Sequence, residues 1–419
     1  MSGDGRGDGG GAERSPGRGD RTLAIAAIIG TAIGFAVFAF EKVVQVLLDS
    51  ARAAPLPVMI AAPSLGLIVT AVILRLGPQP SSRSTADEYL QSVHDPARQI
   101  SGRQVVVRML AAVATLGSGG SLGLEGPAVL LGAGTADNIV RRLGRRMAVD
   151  HQALLVAGAA AGVAAVFKAP ATGAVFALEV PYRTDMARHQ LLPALVGAAS
   201  GYVALVSVAG TQRLFPISGN PPFDARDLGG ALLLGIVAGL LARLIARSIR
   251  WAKHWAGSTS PLVRLPAAGL ALSAVAWTAF ALTGKPLGIG PGYLTLTWLE
   301  NPRLAVGVIF GILGLRLVGV VATTAGGGVG GFFVPLVVLG GLLGRAAAAL
   351  TGAASRDLFL ILGVAAVLGA GYQVPLAAVM FVAETSGRPG FVVPALIAAV
   401  AADIAVGTES VTDYQLDTS

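Results

Sequence analysis

GSGGSLGLEGPAVLLG, residues 117–132, is the stretch on which the reading of the whole chain turns. Five glycines (Gly117, Gly119, Gly120, Gly123, Gly126) and one acid, Glu125, stand directly before Pro127 and a purely apolar run. Glycine lets the backbone leave helical geometry. Proline suits the first turn of a new helix, where its missing N–H is not needed. The pattern predicts a helix N-terminus with free N–H groups and a positive dipole end, with a lone carboxylate at its mouth. In water this is a capped helix. In a membrane it is an anion site with a built-in competitor.

Composition supplies the membrane. The chain is 54% hydrophobic and 13% charged, with a mean hydropathy of +0.71. Soluble chains carry about 25% charged residues. Gly, at 57 of 419 residues, is roughly double its usual ~7%, as expected where transmembrane helices pack closely or break. The fold class predicted is therefore an all-α polytopic membrane protein. A net charge of +8 fits basic cytoplasmic loops and gives no reason to expect a nucleic-acid partner. The absence of cysteine excludes disulfides and Cys-ligated metal centres. His94, His151, His189 and His254 stand alone, as loop or helix-end residues, so neither a metal nor a cofactor is expected.

Residues 1–20 are Gly-rich with mixed charge and read as a disordered tail preceding one transmembrane domain, 21–419. Residues 22–40 and 56–76 are each long enough to cross about 30 Å of hydrocarbon. A polar interval runs to about residue 104, and an apolar run from Val105 leads into the opening stretch. Arg141, Arg142, Arg145 and Arg146 form a basic cluster expected to face the cytoplasm. Further apolar stretches cover about 152–181, 190–210, 228–246, 262–283, 303–322, 331–350, 357–384 and 391–406. Several are too short, or too broken by Gly and Pro, to be simple spans. The chain is expected in the cell membrane, multi-pass and in contact with lipid, with a cytoplasmic N-terminus. Its short polar C-terminus, GTESVTDYQLDTS, suggests no soluble domain beyond it. Glu41 and Lys42 read as a helix end, Lys168 and Arg316 as loop-flanking or snorkelling charges, and Asp87 and Glu88 as possible helix caps.

An internal repeat organises these segments. GAAAGVAAVFKAPATGAVFALE, 158–179, aligns without a gap on GVAAVLGAGYQVPLAAVMFVAE, 363–384, pairing Phe167 with Tyr372, Pro170 with Pro375 and Glu179 with Glu384. GPAVLLG, 126–132, aligns on VPLVVLG, 334–340, and each follows a glycine-rich stretch. Two matches in the same order at nearly the same offset imply two halves, about 22–212 and 225–410, with PISGNPP, 216–222, near the boundary. In such membrane chains broken helices from both halves point their N-termini at a substrate near the midplane. Opposite Glu125 the second copy carries Phe333, so the site is expected to be asymmetric.

At these residues the chain resembles the CLC family of chloride channels and proton-coupled chloride exchangers. The family's G-x-E-G-P motif stands as Gly123-Leu124-Glu125-Gly126-Pro127, and its G-x-F-x-P motif as Gly331-Phe332-Phe333-Val334-Pro335. Its paired helices ending in an acid match Pro170–Glu179 and Pro375–Glu384. The similarity runs from about residue 22 to 416 and is of the prokaryotic type, without C-terminal CBS domains. It implies a homodimer with one pore per subunit, inverted-topology repeats and broken, tilted helices. It makes Glu125 the gating glutamate, with anion-binding positions at Gly123, Gly126, Pro127, Gly331, Phe332 and Phe333. The family's serine motif is missing, which leaves Ser84 or Thr85 as the inner hydroxyl donor. The family's C-terminal tyrosine matches Tyr414 or, by another alignment, Thr412. The position of the exchangers' inner proton-relay glutamate holds Val180, as apolar residues do in channel members, while Glu179 shares a structural duty with Glu384. The transported species implied is chloride or a similar anion, with or without protons. A fluoride-transporting relative is the alternative, suggested by the absent serine motif. An organic-substrate carrier lacks support from the two anion-type motifs. An intramembrane enzyme is remote, because G-x-S-x-G, His-Glu-x-x-His and GK[ST] are all missing.

Overall fold

The computed structural model describes residues 18–78, 84–147, 149–211, 215, 223–352 and 355–416. The tail expected over 1–20 lies outside them except for residues 18–20, which open the first helix, and so does the expected boundary segment 216–222.

Among the described residues the two halves contribute matching sets of helices. The first half supplies α1 (Arg18–Ala53), α2 (Leu56–Leu74), α3 (Thr85–His94), α4 (Gly102–Gly117), α5 (Glu125–Met147), α6 (His151–Phe167), α7 (Pro170–Glu179) and α8 (Leu191–Ala209). The second supplies α9 (Ala225–Ser258), α10 (Pro261–Thr283), α11 (Tyr293–Leu299), α12 (Val306–Ala325), α13 (Phe333–Thr351), α14 (Arg356–Tyr372), α15 (Pro375–Ser386) and α16 (Val392–Val406). The same partners pack in each half: α1 on α8 and α9 on α16, α5 on α6 and α13 on α14, α2 on α4 and α10 on α12. The fold is all-α, with two inverted-topology repeats and several helices too short to span a bilayer.

The repeat extends to the backbone breaks. α4 and α12 each run out into glycines, and Gly119 (φ +106°) and Gly327 (φ +83°), 208 positions apart, turn the chain through left-handed space at the same point. Lys168 (φ 53°) and Gln373 (φ 56°) are the non-glycine residues at positive φ among those described, and they too are repeat mates. Each ends a buried helix just before a proline-led one, so the apolar runs 152–181 and 357–384 are helix pairs, not single spans.

The core is built from small residues that let backbones touch. α6 and α14 are buried along almost their whole length. α5 crosses α6 at Gly132 and Gly158, while α13 crosses α14 at their mates Gly340 and Gly363. A β-carbon on Gly132 would lie 1.9 Å from the Gly158 carbonyl oxygen. Gly132→Ala therefore forces the two helices apart and should lower stability by about 1–3 kcal/mol, read as the thermal midpoint in detergent. Gly229→Ala on α9, with nothing within 4 Å of the added methyl, should leave it unchanged.

Eight helices among the described residues are long and apolar enough to cross a membrane. Their outward faces carry Ile28, Leu65, Val203, Leu233, Leu270 and Ile404, all exposed, as lipid-facing residues of a multi-pass protein. Two expectations need correction. Glu41 and Lys42 sit inside α1, which runs on for 36 residues, and not at its end. Arg316 does not snorkel: it is buried, and its guanidinium donates to the carbonyls of Leu287, Gly290 and Pro291 at 3.2, 2.8 and 2.6 Å, pinning that turn to α12. The polar interval before residue 104 contains α3, a helix buried from Thr85 to Val93.

Candidate functional site between the two halves

The two glycine breaks meet. Gly123 and Gly331 exchange reciprocal backbone hydrogen bonds, N–H to carbonyl, at 2.8 Å in both directions. That antiparallel pair brings the starts of α5 and α13 together, one from each half. A β-carbon added to Gly123 would lie 2.0 Å from Glu125 Oε2, and one added to Gly331 2.1 Å from Glu125 Oε1, so a side chain at either glycine would collide with the carboxylate. The glycines are thus needed for close approach, and they form a cradle in which the carboxylate lies.

Glu125 is the first residue of α5 and is 1% exposed. Its Oε1 accepts from the Phe333 N–H at 2.6 Å, a donor at the first position of α13. An acid of one half thus occupies a free amide at the helix start of the other, where the dipole favours negative charge. Its Oε2 has no hydrogen-bond partner among the described residues. Neither has Thr85 Oγ1, which is fully buried and packs so close to Gly126 that a β-carbon there would lie 2.5 Å away. Pro127 and Pro335 hold the third position of α5 and α13, where no intrahelical N–H is required. Ser84, buried as well, is the N-cap residue of α3 and makes no capping bond through its side chain.

Aromatic rings wall the site. Phe333 stacks on Phe167 at 4.3 Å and meets Phe176 and Phe381 edge-on at 5.4 and 4.9 Å. The Phe332 N–H, next to the amide held by Glu125, donates to Tyr372 Oη at 3.2 Å. Tyr372 is fully buried at the end of α14. Sequence reading missed its role, although the repeat pairs it with Phe167: where one half carries a phenyl ring, the other carries a phenol.

Tyr414 is not among these groups. It is 39% exposed and lines a surface cleft with His94, Asp95 and Gln415. The segment after α16 turns its side chain outward, while the buried Thr412 hydroxyl bonds to Ser410 at 3.0 Å. Asp87 and Glu88, in the first turn of α3, are held by side chains from elsewhere in the chain. Asp87 accepts from Lys253 Nζ at 2.9 Å, and Glu88 accepts from Arg108 Nε at 2.9 Å and from Gln104 Nε2 at 2.8 Å. These partners neutralise both acids within the core.

Further out, Glu179 and Glu384 cap each other's helices across the halves. Glu179 accepts from the Leu376 and Ala377 N–H groups at the start of α15, at 3.1 and 2.9 Å. Glu384 accepts from the mates of those residues at the start of α7, Ala171 at 2.9 Å and Thr172 at 2.7 Å, and from the Thr172 hydroxyl. Val180, the next residue after Glu179, presents a buried aliphatic side chain.

A family model described as "Voltage gated chloride channel" matches residues 65–407. The chain belongs to this family. Among relatives of the same kind, a putative chloride channel protein ClcB-like from Ralstonia nicotianae is 29% identical over 90% of this chain and 92% of its own length. An H+/Cl− exchange transporter ClcA from Cronobacter sakazakii is 26% identical over 91% and 85%. The fold matches the crystal structure of a CLC-type fluoride/proton antiporter with a TM-score of 0.83 at 23% identity, covering 97% of this chain and all of that one. A slow cyanobacterial Cl−/H+ antiporter superposes with a TM-score of 0.81 at 18% identity. Membership of the voltage gated chloride channel family makes anion transport the activity of the chain.

Proposed function

We propose that the chain moves chloride, or a small inorganic anion like it, across the membrane along a path between the two halves, with Glu125 as the gate. The observation carrying this reading is the carboxylate of one half seated on the Phe333 N–H of the other, at 2.6 Å, beside the unpartnered Thr85 hydroxyl. The carboxylate stands where a halide would be held by the same donors. Ionised, Glu125 fills the position; protonated or displaced, it leaves the position to the anion. The amides of Gly126 and Phe333, the Thr85 hydroxyl and the breaks at Gly123 and Gly331 make up the coordination shell, with Ser84 behind Thr85; the Phe332 N–H, held by Tyr372 Oη, joins it only when that bond opens. The protein does no covalent chemistry there; it replaces an ion's water shell with fixed dipoles. The family's homodimer, with one path per subunit and the N-terminus on the cytoplasmic side, is part of this proposal.

Two features support passive movement without obligatory proton exchange. Val180 has no titratable group, and the neighbouring Glu179 carboxylate is engaged by two amides of α15. Under a pH gradient at fixed chloride, the reversal potential of the reconstituted protein should stay at the chloride value. A shift with pH would mark an exchanger. Efflux from liposomes loaded with chloride or with fluoride tests the ion, and fluoride flux equal to or above that of chloride would overturn the chloride assignment.

Tyr372 belongs to this reading as the phenol next to the gate. Tyr372→Phe keeps the ring that packs on Phe176 and removes the oxygen that orients the Phe332 amide. Freeing the Phe332 N–H from one buried hydrogen bond, about 0.5–1.5 kcal/mol, should strengthen apparent chloride affinity roughly two- to tenfold. Tyr414→Phe, at the surface, should leave it unchanged. The reverse pattern in a chloride titration would return the role to Tyr414.

A further inference from the structure

A ladder of basic residues on α9 leads from solvent toward the site. Arg247, Arg250 and Lys253 fall on successive turns, and their side chains are 63%, 35% and 8% exposed in that order. All three hold the strap that follows α16. Glu409 pairs with Arg247 at 2.9 Å and also with Arg250. Lys253 Nζ has three N–H bonds and three acceptors: Asp87 Oδ2 at 2.9 Å, the Val411 carbonyl at 2.8 Å and Asp413 Oδ2 at 2.9 Å. It also lies 5.5 Å from the centroid of the Phe332 ring. The innermost cation of the ladder therefore touches the α13 start on one side and α3, two residues beyond Thr85, on the other.

Lys253's partners differ in their access to water. Asp87 is fully buried, whereas the Asp413 side chain is 37% exposed. Asp413 lines an open cleft of about 480 Å³ between the end of α3 and the strap, together with Gln91, His94, Asp95, Arg98 and Gln415. Residues on either side of Asp413 are pinned: Val411 N–H donates to Gly371 and Leu416 N–H to Pro181, at 2.9 and 3.1 Å, and Gln415 Nε2 donates to Tyr372 O at 2.7 Å. A carboxylate can therefore swing off the ammonium into the cleft while the strap stays in place.

We propose that this cleft is an aqueous mouth of the anion path and that Asp413 is a displaceable ligand of Lys253. A small inorganic anion takes the carboxylate's place on the ammonium, with the Lys253–Asp87 pair intact, before moving past Phe332 to Thr85. The charge of the cluster is the same with either ligand, so the exchange adds no unpaired buried charge. The mouth would use the device assigned to Glu125, a carboxylate holding a position that the anion needs. The inference rests on the transport reading above.

The test is chloride efflux from liposomes against chloride concentration, with ionic strength held constant by an impermeant anion. Asp413→Asn removes the competing charge from a partly exposed pair and should lower half-saturating chloride roughly two- to fivefold. Lys253→Gln should raise it. If burial of Asp87 without its partner keeps that variant from folding, the milder Asp413→Asn decides alone. Unchanged or raised half-saturation in Asp413→Asn, with normal wild-type flux, overturns the mouth and leaves the transport reading standing. No chloride flux in the wild type removes both.

Discussion

Glu125→Ala should transport chloride at a rate that no longer depends on pH. In the wild type, efflux should rise as pH falls. The sign follows from the site: protonation removes the charge with which the carboxylate competes for the Phe333 N–H, so acid frees the position and alkali closes it. One proton-linked gate changes a rate by at most about tenfold per pH unit, and the wild-type profile should approach that slope before it levels off. Glu125→Gln should behave as a permanently protonated gate of the same shape. Both variants keep the Gly123–Gly331 pair, because neither adds atoms to the cradle between those glycines. Stopped-flow or electrode recordings of liposome efflux from pH 4 to 8 read the result. A variant that folds and conducts nothing would show that the carboxylate serves the path in another way than as its plug.

The largest stability loss should come from Arg108→Met. The Arg108 guanidinium on α4 and the Glu88 carboxylate on α3 are 3% and 2% exposed, and the carboxylate is also held by Gln104. Removing the cation leaves a charge buried with one amide donor, a change that costs about 3–5 kcal/mol in proteins. α3 carries Thr85 at its first position, so its loosening should reduce anion flux as well. Arg108→Met with Glu88→Leu removes both charges and should recover most of the thermal midpoint. Destabilisation of the double variant as deep as that of the single would show that packing, and not the ion pair, seats α3.

What was legible in the sequence is the part written in backbone chemistry. Glycines before Glu125 and before Phe333, each followed by a proline two residues on, located both helix starts, and the repeat gave their mutual arrangement without any contact being visible. Pairing Glu179 with Glu384 likewise pointed to a shared duty, which takes the form of reciprocal caps on α15 and α7. What stayed hidden depends on partners distant in the chain. The burial of α3 stayed hidden because its acids read as helix caps until Arg108, 20 positions on, and Lys253, 166 positions on, neutralise them. Tyr372 sits in an apolar run and looks like core. Tyr414 matched a motif position, but side-chain direction in an irregular strap is set by local turns that no spacing records. Arg316 read as a snorkelling charge because the three carbonyls it holds belong to a turn more than twenty residues earlier.

Whether the Glu125 carboxylate occupies an anion's position between the halves can be read from crystals of Glu125→Ala grown in bromide and measured at the bromine absorption edge. An anomalous peak is expected in the vacated space, within hydrogen-bonding distance of the Phe333 N–H and Thr85 Oγ1, with a weaker peak or none there in the wild type at alkaline pH. An empty cradle in the variant, with bromide bound only elsewhere, would contradict it.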